Sequence, residues 1–550
     1  MKRIFGNKTV LLGFIIVLAS FLRFYNLGVN PPSLTWDEVA WGYNAYSLGI
    51  DGKDEHGRFL PLNYLESFGD FKPPLYAYLD VIPVKIFGLN EFAVRFPSAI
   101  LGSLTVLITY LLVNRIFKKH EEPLALLSAF FLAISPWHIN LSRAAFEANV
   151  SSFFIVCGVW LFLKSVQEKM WFLPLSVASF VISIYIFNTA RIVAPILLLI
   201  LFLIHVKQIL RYKTQLFVSV IFGIILILPI VRFLFSPQAG LRFKEVNIFS
   251  DIGVINLTNQ EIKNDNNAWW SKILHNRRFV YATEYLKHYF DHFKPKFLFI
   301  SGDGNPKFST QDVGSLYLWE LPFFITGVLF IFRWKAPYRW FILLWMIIGV
   351  APAATARETP HALRIEAVLP TFQIFTAYGV FMFINTISNI KYKIANIQIK
   401  YLIFTLCFLF LIFNILYYLH GYYVHYPREY SGEWQYGYKE SIAFVKEQEQ
   451  NFDEIKITTE LGRPYIYYLF YTKTDPEKFR KTAKIEREVF GFVNVEKVGK
   501  YSFAKDVNSI TGKNKKILYV DIKNKLPDNA IILKTFYLLN GEPVLVAYTL

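Results

Sequence analysis

What constrains this 550-residue chain most is a succession of apolar runs, each near the length that crosses a bilayer. A spanning helix needs about 20 mostly apolar residues, because hydrocarbon offers the backbone no outside hydrogen-bond partner. On that criterion spans are predicted at 10–27, 98–116, 123–139, 150–163, 171–188, 191–206, 214–235, 316–332, 338–354, 365–388 and 398–418, about eleven in all. The expected fold class is therefore an α-helical polytopic membrane protein. A content of 54% hydrophobic and 18% aromatic residues agrees, since soluble domains hold roughly 45–50% apolar residues. The opening MKRIFGNKTVLLGFIIVLASFLRF has the basic start of a signal peptide but no small-residue cleavage site after its apolar part. It is read as a retained first span, with a cleaved signal as the alternative.

The formal charge of +17 does not point to nucleic acid, because Lys and Arg are scattered between apolar runs rather than gathered into one basic arm. Their placement gives orientation instead. Alternate junctions carry Lys2, Arg3 and Lys8; Arg115, Lys118 and Lys119; Lys164 and Lys169; Lys207, Arg211 and Lys213; Arg333, Lys335 and Arg339; then Lys391, Lys393 and Lys400. Cations near span ends resist translocation, so these junctions are expected inside. The register also excludes 75–87 as a full span, which would put Lys118 and Lys119 outside. The opposite junctions, at 28–97, 135–149, 188–191, 236–314 and 355–364, and everything after His420 then face the exterior of a plasma (cytoplasmic) membrane. Cys157 and Cys407 both lie inside apolar runs, so neither a disulfide framework nor a thiolate metal site is expected.

Beyond Pro427 no apolar run reaches membrane length. Alternating stretches such as EIKITTEL and KKILYVDIK interleave with helix-like ones such as GYKESIAFVKEQEQ. The expected organisation is a transmembrane domain over 1–426, with large external loops at 28–97 and 236–314, followed by a small extracytoplasmic α/β domain over 427–550.

The unusual polar residues lie on the external side. The first loop opens with TWDEVAWGYNAYSLG, which places Asp37 and Glu38 just past the first span, and continues with SFGDFKPPLYAYL, which carries Asp70 and Lys72. An interfacial belt explains the Trp and Tyr residues. It does not explain adjacent acids followed by a lysine that Pro73 and Pro74 hold at the membrane surface, where it suits a lipid phosphate. More candidates follow: Arg143 and Glu147 in ISPWHINLSRAAFEAN, Arg191 in FNTARIVAP, and Arg357, His361 and Arg364 in RETPHALRIEAVLP. Each alone fits a snorkelling interfacial cation. As a set confined to the side where cations should be depleted, they invite a functional explanation.

The order of WDE, then D-x-K-P-P-L-Y, then EFAVRFPSAILGSLTVLITYLLVNRIF resembles the membrane-embedded GT-C glycosyltransferases. It is most similar to the protein O-mannosyltransferase and aminoarabinose transferase superfamily, glycosyltransferase family 39, over roughly 22–370. The resemblance implies transfer of a sugar from a polyprenyl-phosphate donor to an acceptor hydroxyl on the external face, the acceptor being glycan, lipid or protein. Asp37 matches the family's catalytic aspartate. One carboxylate suffices for such a step, since a departing phosphate needs no acid, whereas glycosidases generally use two. Asp37 is therefore expected to be the base and Glu38 a support or acceptor contact. Lys72, Arg143, Arg191, Arg357, His361 and Arg364 are the expected phosphate contacts, and Arg364 is preferred in PHALR, which resembles a motif of bacterial relatives.

In HNRRFVYATEYLKHYFDHF, His288 and His292 share a helix face and could hold a divalent metal with Asp70 or Asp303, as some relatives do in this region. Two histidines at that spacing are more often surface residues, and Tyr289 stands where a zinc peptidase needs glutamate, so no cofactor is expected to be required. FISGDGNPKFS predicts a tight loop at Gly302, Asp303 and Gly304, with Asp303 and Asp70 as further cavity residues. Two rivals stand beside the transferase. A transporter or flippase of lipid-linked glycans would place its charges near mid-bilayer in paired repeats. A polymerase or ligase using a diphosphate-linked donor would employ the same cations.

Overall fold

The computed structural model describes residues 8–117, 122–236, 239–240, 247–250, 252–333, 338–389, 394–487, 493–508 and 515–550. Lys2, Arg3, Lys118, Lys119, Lys335, Lys391 and Lys393, which carry part of the orientation argument, lie outside the described residues. The chain is a multi-pass membrane protein with two compact units. One comprises Met1–Leu22, Leu101–Ser142 and Glu147–Tyr418, the other Arg23–Ile100, Arg143–Phe146 and Leu419–Leu550.

The first unit is helical. Every predicted span coincides with a helix: α1 (Lys8–Phe24), α4 (Glu91–Ile116, whose residues fall in both units), α5 (Glu122–Ile134) with α6 (Pro136–Ser142), α7 (Glu147–Gln167), α8 (Leu173–Ile184), α9 (Ala190–Ile209), α10 (Lys213–Leu234), then Leu321–Phe330, Tyr338–Val350, Thr371–Asn389 and Ile394–His420. Length separates them. Among the described residues six helices are long and apolar enough to cross a membrane, or seven with α5 and α6 taken as one span bent by 57°. The bend has a local cause. Pro136 has no N–H to give a preceding carbonyl, and its ring disfavours helical geometry at Ser135. Helices Leu321–Phe330 and Thr371–Asn389 meet backbone to backbone at a glycine pair. A Cβ on Gly327 would lie 1.9 Å from the Phe375 carbonyl oxygen, and one on Gly379 would lie 1.9 Å from that of Phe323. Small residues permit such contact where the surrounding lipid is as apolar as leucine.

The second unit contains α2 (Trp36–Asp51), a hairpin of β1 (Leu65–Ser67) and β2 (Asp70–Lys72), α3 (Leu75–Phe87), the start of α4, and a seven-stranded sheet. α3 has 13 residues, too few to span, as the charge register requires. The sheet strands are β3 (Glu454–Thr458), β4 (Ala483–Arg487), β5 (Val493–Val498), β6 (Tyr501–Ala504), β7 (Ile517–Asp521), β8 (Ile531–Tyr537) and β9 (Pro543–Thr549), in the order β4-β5-β6-β3-β7-β9-β8. β3 runs parallel to β6 and β7, and the other pairs are antiparallel. All five residues of β7 are buried, as its unbroken ILYVD run requires of a central strand.

The division at 426/427 expected from the sequence is therefore incomplete. The loop 28–97, expected outside, groups with the C-terminal domain, not with the spans. The reason is packing at Gly42 of α2, where a Cβ would lie 2.5 Å from Val94 and 2.7 Å from Phe470 of helix Pro464–Tyr471.

Candidate active site

Within the second unit, Thr35 caps α2, its hydroxyl accepting from the Glu38 amide while the Glu38 carboxylate accepts from the Thr35 amide. This reciprocal cap fixes where the helix starts and places Asp37 in its first turn. The β1–β2 turn has positive φ at both central residues, Phe68 (62°) and Gly69 (80°), the geometry that suits the right-handed twist of a tight hairpin. It pairs Leu65 with Lys72. Pro73 and Pro74 end the strand, and α3 begins at Leu75.

These two elements bring Lys72 and Asp37 together. The Lys72 ammonium pairs with Asp37 Oδ1 and lies 5.2 Å from the Trp41 ring centroid and 5.4 Å from that of Phe68. The Lys72 side chain is only 10% exposed, whereas that of Asp37 is 51% exposed. A shielded cation thus stands against a carboxylate open to solvent. Asp70, the neighbouring cavity candidate, is half-buried at the start of β2, opposite Ser67.

Glu38, expected as a support or acceptor contact, has both oxygens engaged in the interior and neither open to an acceptor. Oε1 accepts from Arg95 Nε at 2.9 Å and from the Ala145 amide at 3.0 Å, and Oε2 accepts from the Thr35 amide at 2.9 Å. Arg95, which the sequence reading did not single out, is fully buried and also donates to the carbonyls of Leu27, Pro31 and Ser33. Its signal was present as a lone arginine at the apolar start of α4. Arg143, expected as a phosphate contact, is fully buried, donating from Nε to the Tyr422 hydroxyl (3.1 Å) and from Nη2 to the Asn30 carbonyl (2.8 Å).

In the helical unit several of the junctions expected outside converge. The Asp303 carboxylate accepts from the amides of Asn305 (2.8 Å) and Ala362 (2.6 Å), which ties the Gly302–Gly304 loop to the PHALR segment, and the Phe308 ring lies tilted against that of His361 with centroids 4.8 Å apart. Trp137 Nε1 donates to the Ala362 carbonyl and the Thr189 hydroxyl to that of Arg364. Burial pushes the Asp303 carboxyl up to about 6, against the opposing pull of those two amides and of Arg364. The His361 imidazole is held well below its usual range by burial, with Arg364 and His292 adding to the effect.

Arg191 and Arg364 are half-buried, and Arg357 is exposed with its Nε on the Asn247 carbonyl. Arg191 alone of these has Nε and Nη2 atoms buried without a hydrogen-bond partner. Glu147 opens α7 as its first residue. Glu366 is a fully buried acid with no hydrogen-bond partner on either oxygen, and nothing in the sequence marked it.

The histidine pair of the 236–314 loop differs from its expected surface position. His288 and His292 are both buried rather than at the surface. His288 engages both ring nitrogens, Nδ1 with the Ala356 carbonyl (2.8 Å) and Nε2 with Glu284 (2.9 Å). Burial lowers His292 to about 4. Among the described residues, no group of three or more His, Cys, Asp or Glu side chains is arranged to hold a metal.

Comparison with known proteins gives these findings. Residues 13–241 match the family model "Dolichyl-phosphate-mannose-protein mannosyltransferase". An uncharacterised protein of Aquifex aeolicus is 32% identical over 161 residues, 29% of this chain and 30% of that one. The "Putative mannosyltransferase YkcB" of Bacillus subtilis is 30% identical over 129 residues, 23% of this chain and 17% of that one. The matches thus span less than a third of either relative. The crystal structure of ArnT from Cupriavidus metallidurans bound to undecaprenyl phosphate superposes with a TM-score of 0.55 at 12% identity, over 99% of this chain and 98% of ArnT. The apo oligosaccharyltransferase of Archaeoglobus fulgidus gives 0.51 at 14% identity, over 84% and 63%.

Proposed function

Given a GT-C fold whose residues 13–241 match the protein mannosyltransferase family, we propose that this protein is an inverting glycosyltransferase. In this proposal it moves a sugar from a polyprenyl-phosphate donor to an acceptor hydroxyl. The acceptor oxygen attacks the anomeric carbon, the bond from that carbon to the phosphate oxygen breaks, and Asp37 takes the hydroxyl proton. The phosphate leaves with the bonding pair and is held by Lys72. No cofactor enters these steps.

The observation that carries this reading is the contact between Asp37 and Lys72, an open carboxylate against a shielded cation at one point of the first external loop. Carrier-lipid binding in ArnT, as that structure's description states, supports a lipid phosphate as the ligand. In the helical unit, Arg191 is proposed as an anion contact in its own right, because its buried donors lack partners within the protein.

Removal of a charge-assisted bond costs about 1.5–3 kcal/mol, so Lys72→Ala should weaken the affinity of the full-length protein for undecaprenyl phosphate by about ten- to a hundredfold. Unchanged affinity would remove Lys72 from the donor site. The alternation of cations along the chain supports a reaction and a C-terminal domain outside the plasma membrane. A protease site inserted at Pro427 should accordingly be cut in intact cells by protease added outside, and protection there would reverse the orientation.

A further inference from the structure

We propose that the C-terminal domain is a positioning element of the active site, in which Arg463, acting through Phe68, sets the place of Lys72. The inference rests on the reading of Asp37 and Lys72 as base and phosphate contact.

The segment from Gly462 to Tyr467 touches both elements that carry those residues. Gly462 lies against the indole of Trp36, the residue before Asp37. A Cβ there would sit 2.7 Å from the ring, and the φ of 123° is one that residues with side chains rarely adopt. The Tyr467 hydroxyl donates to the Leu34 carbonyl (2.9 Å), immediately before the Thr35 cap. On the hairpin, the Arg463 guanidinium lies 5.5 Å from the Phe68 ring centroid, and Tyr465 meets the same ring edge-on at 5.9 Å.

Phe68 is the connecting piece. Its ring has the Lys72 ammonium 5.4 Å from its centroid as well as the Arg463 guanidinium, and its backbone has the left-handed conformation of the turn. Phenylalanine takes that conformation rarely, so the surroundings must hold it. Here the Val493 amide of β5 donates to the Phe68 carbonyl (3.1 Å), and Arg463 donates to Asn494 Oδ1 on the same strand (2.8 Å). The neighbouring Arg487 pairs with Glu66 of β1. Two side chains of the C-terminal domain, Arg463 and Tyr465, and the Val493 amide thus hold the turn, and Arg487 holds β1, in the hairpin whose second strand ends in Lys72.

Packing between two parts of a compact unit would produce similar contacts without any bearing on the donor, and a mutant cycle separates the two roles. Affinity for undecaprenyl phosphate is measured on the full-length protein for Arg463→Ala and Phe68→Leu, each alone and combined with Lys72→Ala. Loss of a cation–ring contact predicts a weakening of about three- to tenfold for each alone, and less than about twofold on top of Lys72→Ala. Arg463→Lys should recover most of the loss, because a cation remains over the ring. Equal losses in both backgrounds, or none, would overturn the positioning role while leaving the donor site intact. A silent Lys72→Ala would instead overturn the donor site and this inference with it. Phe68→Leu keeps an apolar side chain at the turn and carries the same cycle should Arg463→Ala not fold.

Discussion

Asp37→Asn should stop sugar transfer almost completely, by about a hundred- to ten-thousandfold in kcat, while the fold and the affinity for undecaprenyl phosphate persist. Asparagine keeps the size and polarity of the side chain but cannot accept the hydroxyl proton. It also removes the negative partner of Lys72, so the ammonium stays available to a phosphate and donor affinity should not fall. The measurement is single-turnover transfer from a labelled polyprenyl-phosphate sugar, with carrier-lipid binding as the control. Substantial transfer by the variant would defeat the assignment of the base. A belt of interfacial side chains predicts silence at this position, and a lipid transporter predicts altered flux with no glycosidic bond formed at any stage.

The parts of this arrangement legible in the sequence are those set by local rules. Run length placed the helices, and helix and strand periods placed the elements Tyr438–Glu447, β3 and β7 of the C-terminal domain. The order of short motifs brought Asp37 and Lys72 into one site across 35 residues. What the sequence does not carry is which charges are already engaged within the protein, since that depends on partners far along the chain. Arg143 is held by Asn30 and Tyr422, 113 and 279 residues away. Glu38 is bound to Arg95 across 57 residues. Both look like open site residues until those partners are known. His288 and His292 failed as surface residues for the same reason, because the segments that bury them come from elsewhere in the fold. The grouping of the 28–97 loop with the C-terminal domain was equally hidden, since contacts such as Gly42 against Phe470 leave no periodic trace.

The neighbouring acids should separate by what they disturb. Arg95→Leu is expected to cost about 3–5 kcal/mol of stability, because it leaves the Glu38 carboxylate buried without its cation. It also deprives the carbonyls of Leu27, Pro31 and Ser33 of their donor. Against a typical total of about 5–15 kcal/mol, that loss should lower the thermal midpoint strongly or prevent accumulation of folded protein. Glu38→Gln should cost less, since an amide oxygen can still accept from the Thr35 or Ala145 amide. Combining Glu38→Gln with Arg95→Leu should recover part of the deficit, because no uncompensated charge remains buried. Thermal unfolding of the detergent-purified variants reads this directly. Were Arg95→Leu as stable as the unmutated protein, the capping network could not be what fixes the start of α2, and the placement of Asp37 would need another cause. Asp37→Asn, one residue from Glu38, should leave that midpoint nearly unchanged while removing activity. A buried carboxylate that organises the helix start and an open one proposed to take the proton are thus told apart by stability on one side and turnover on the other.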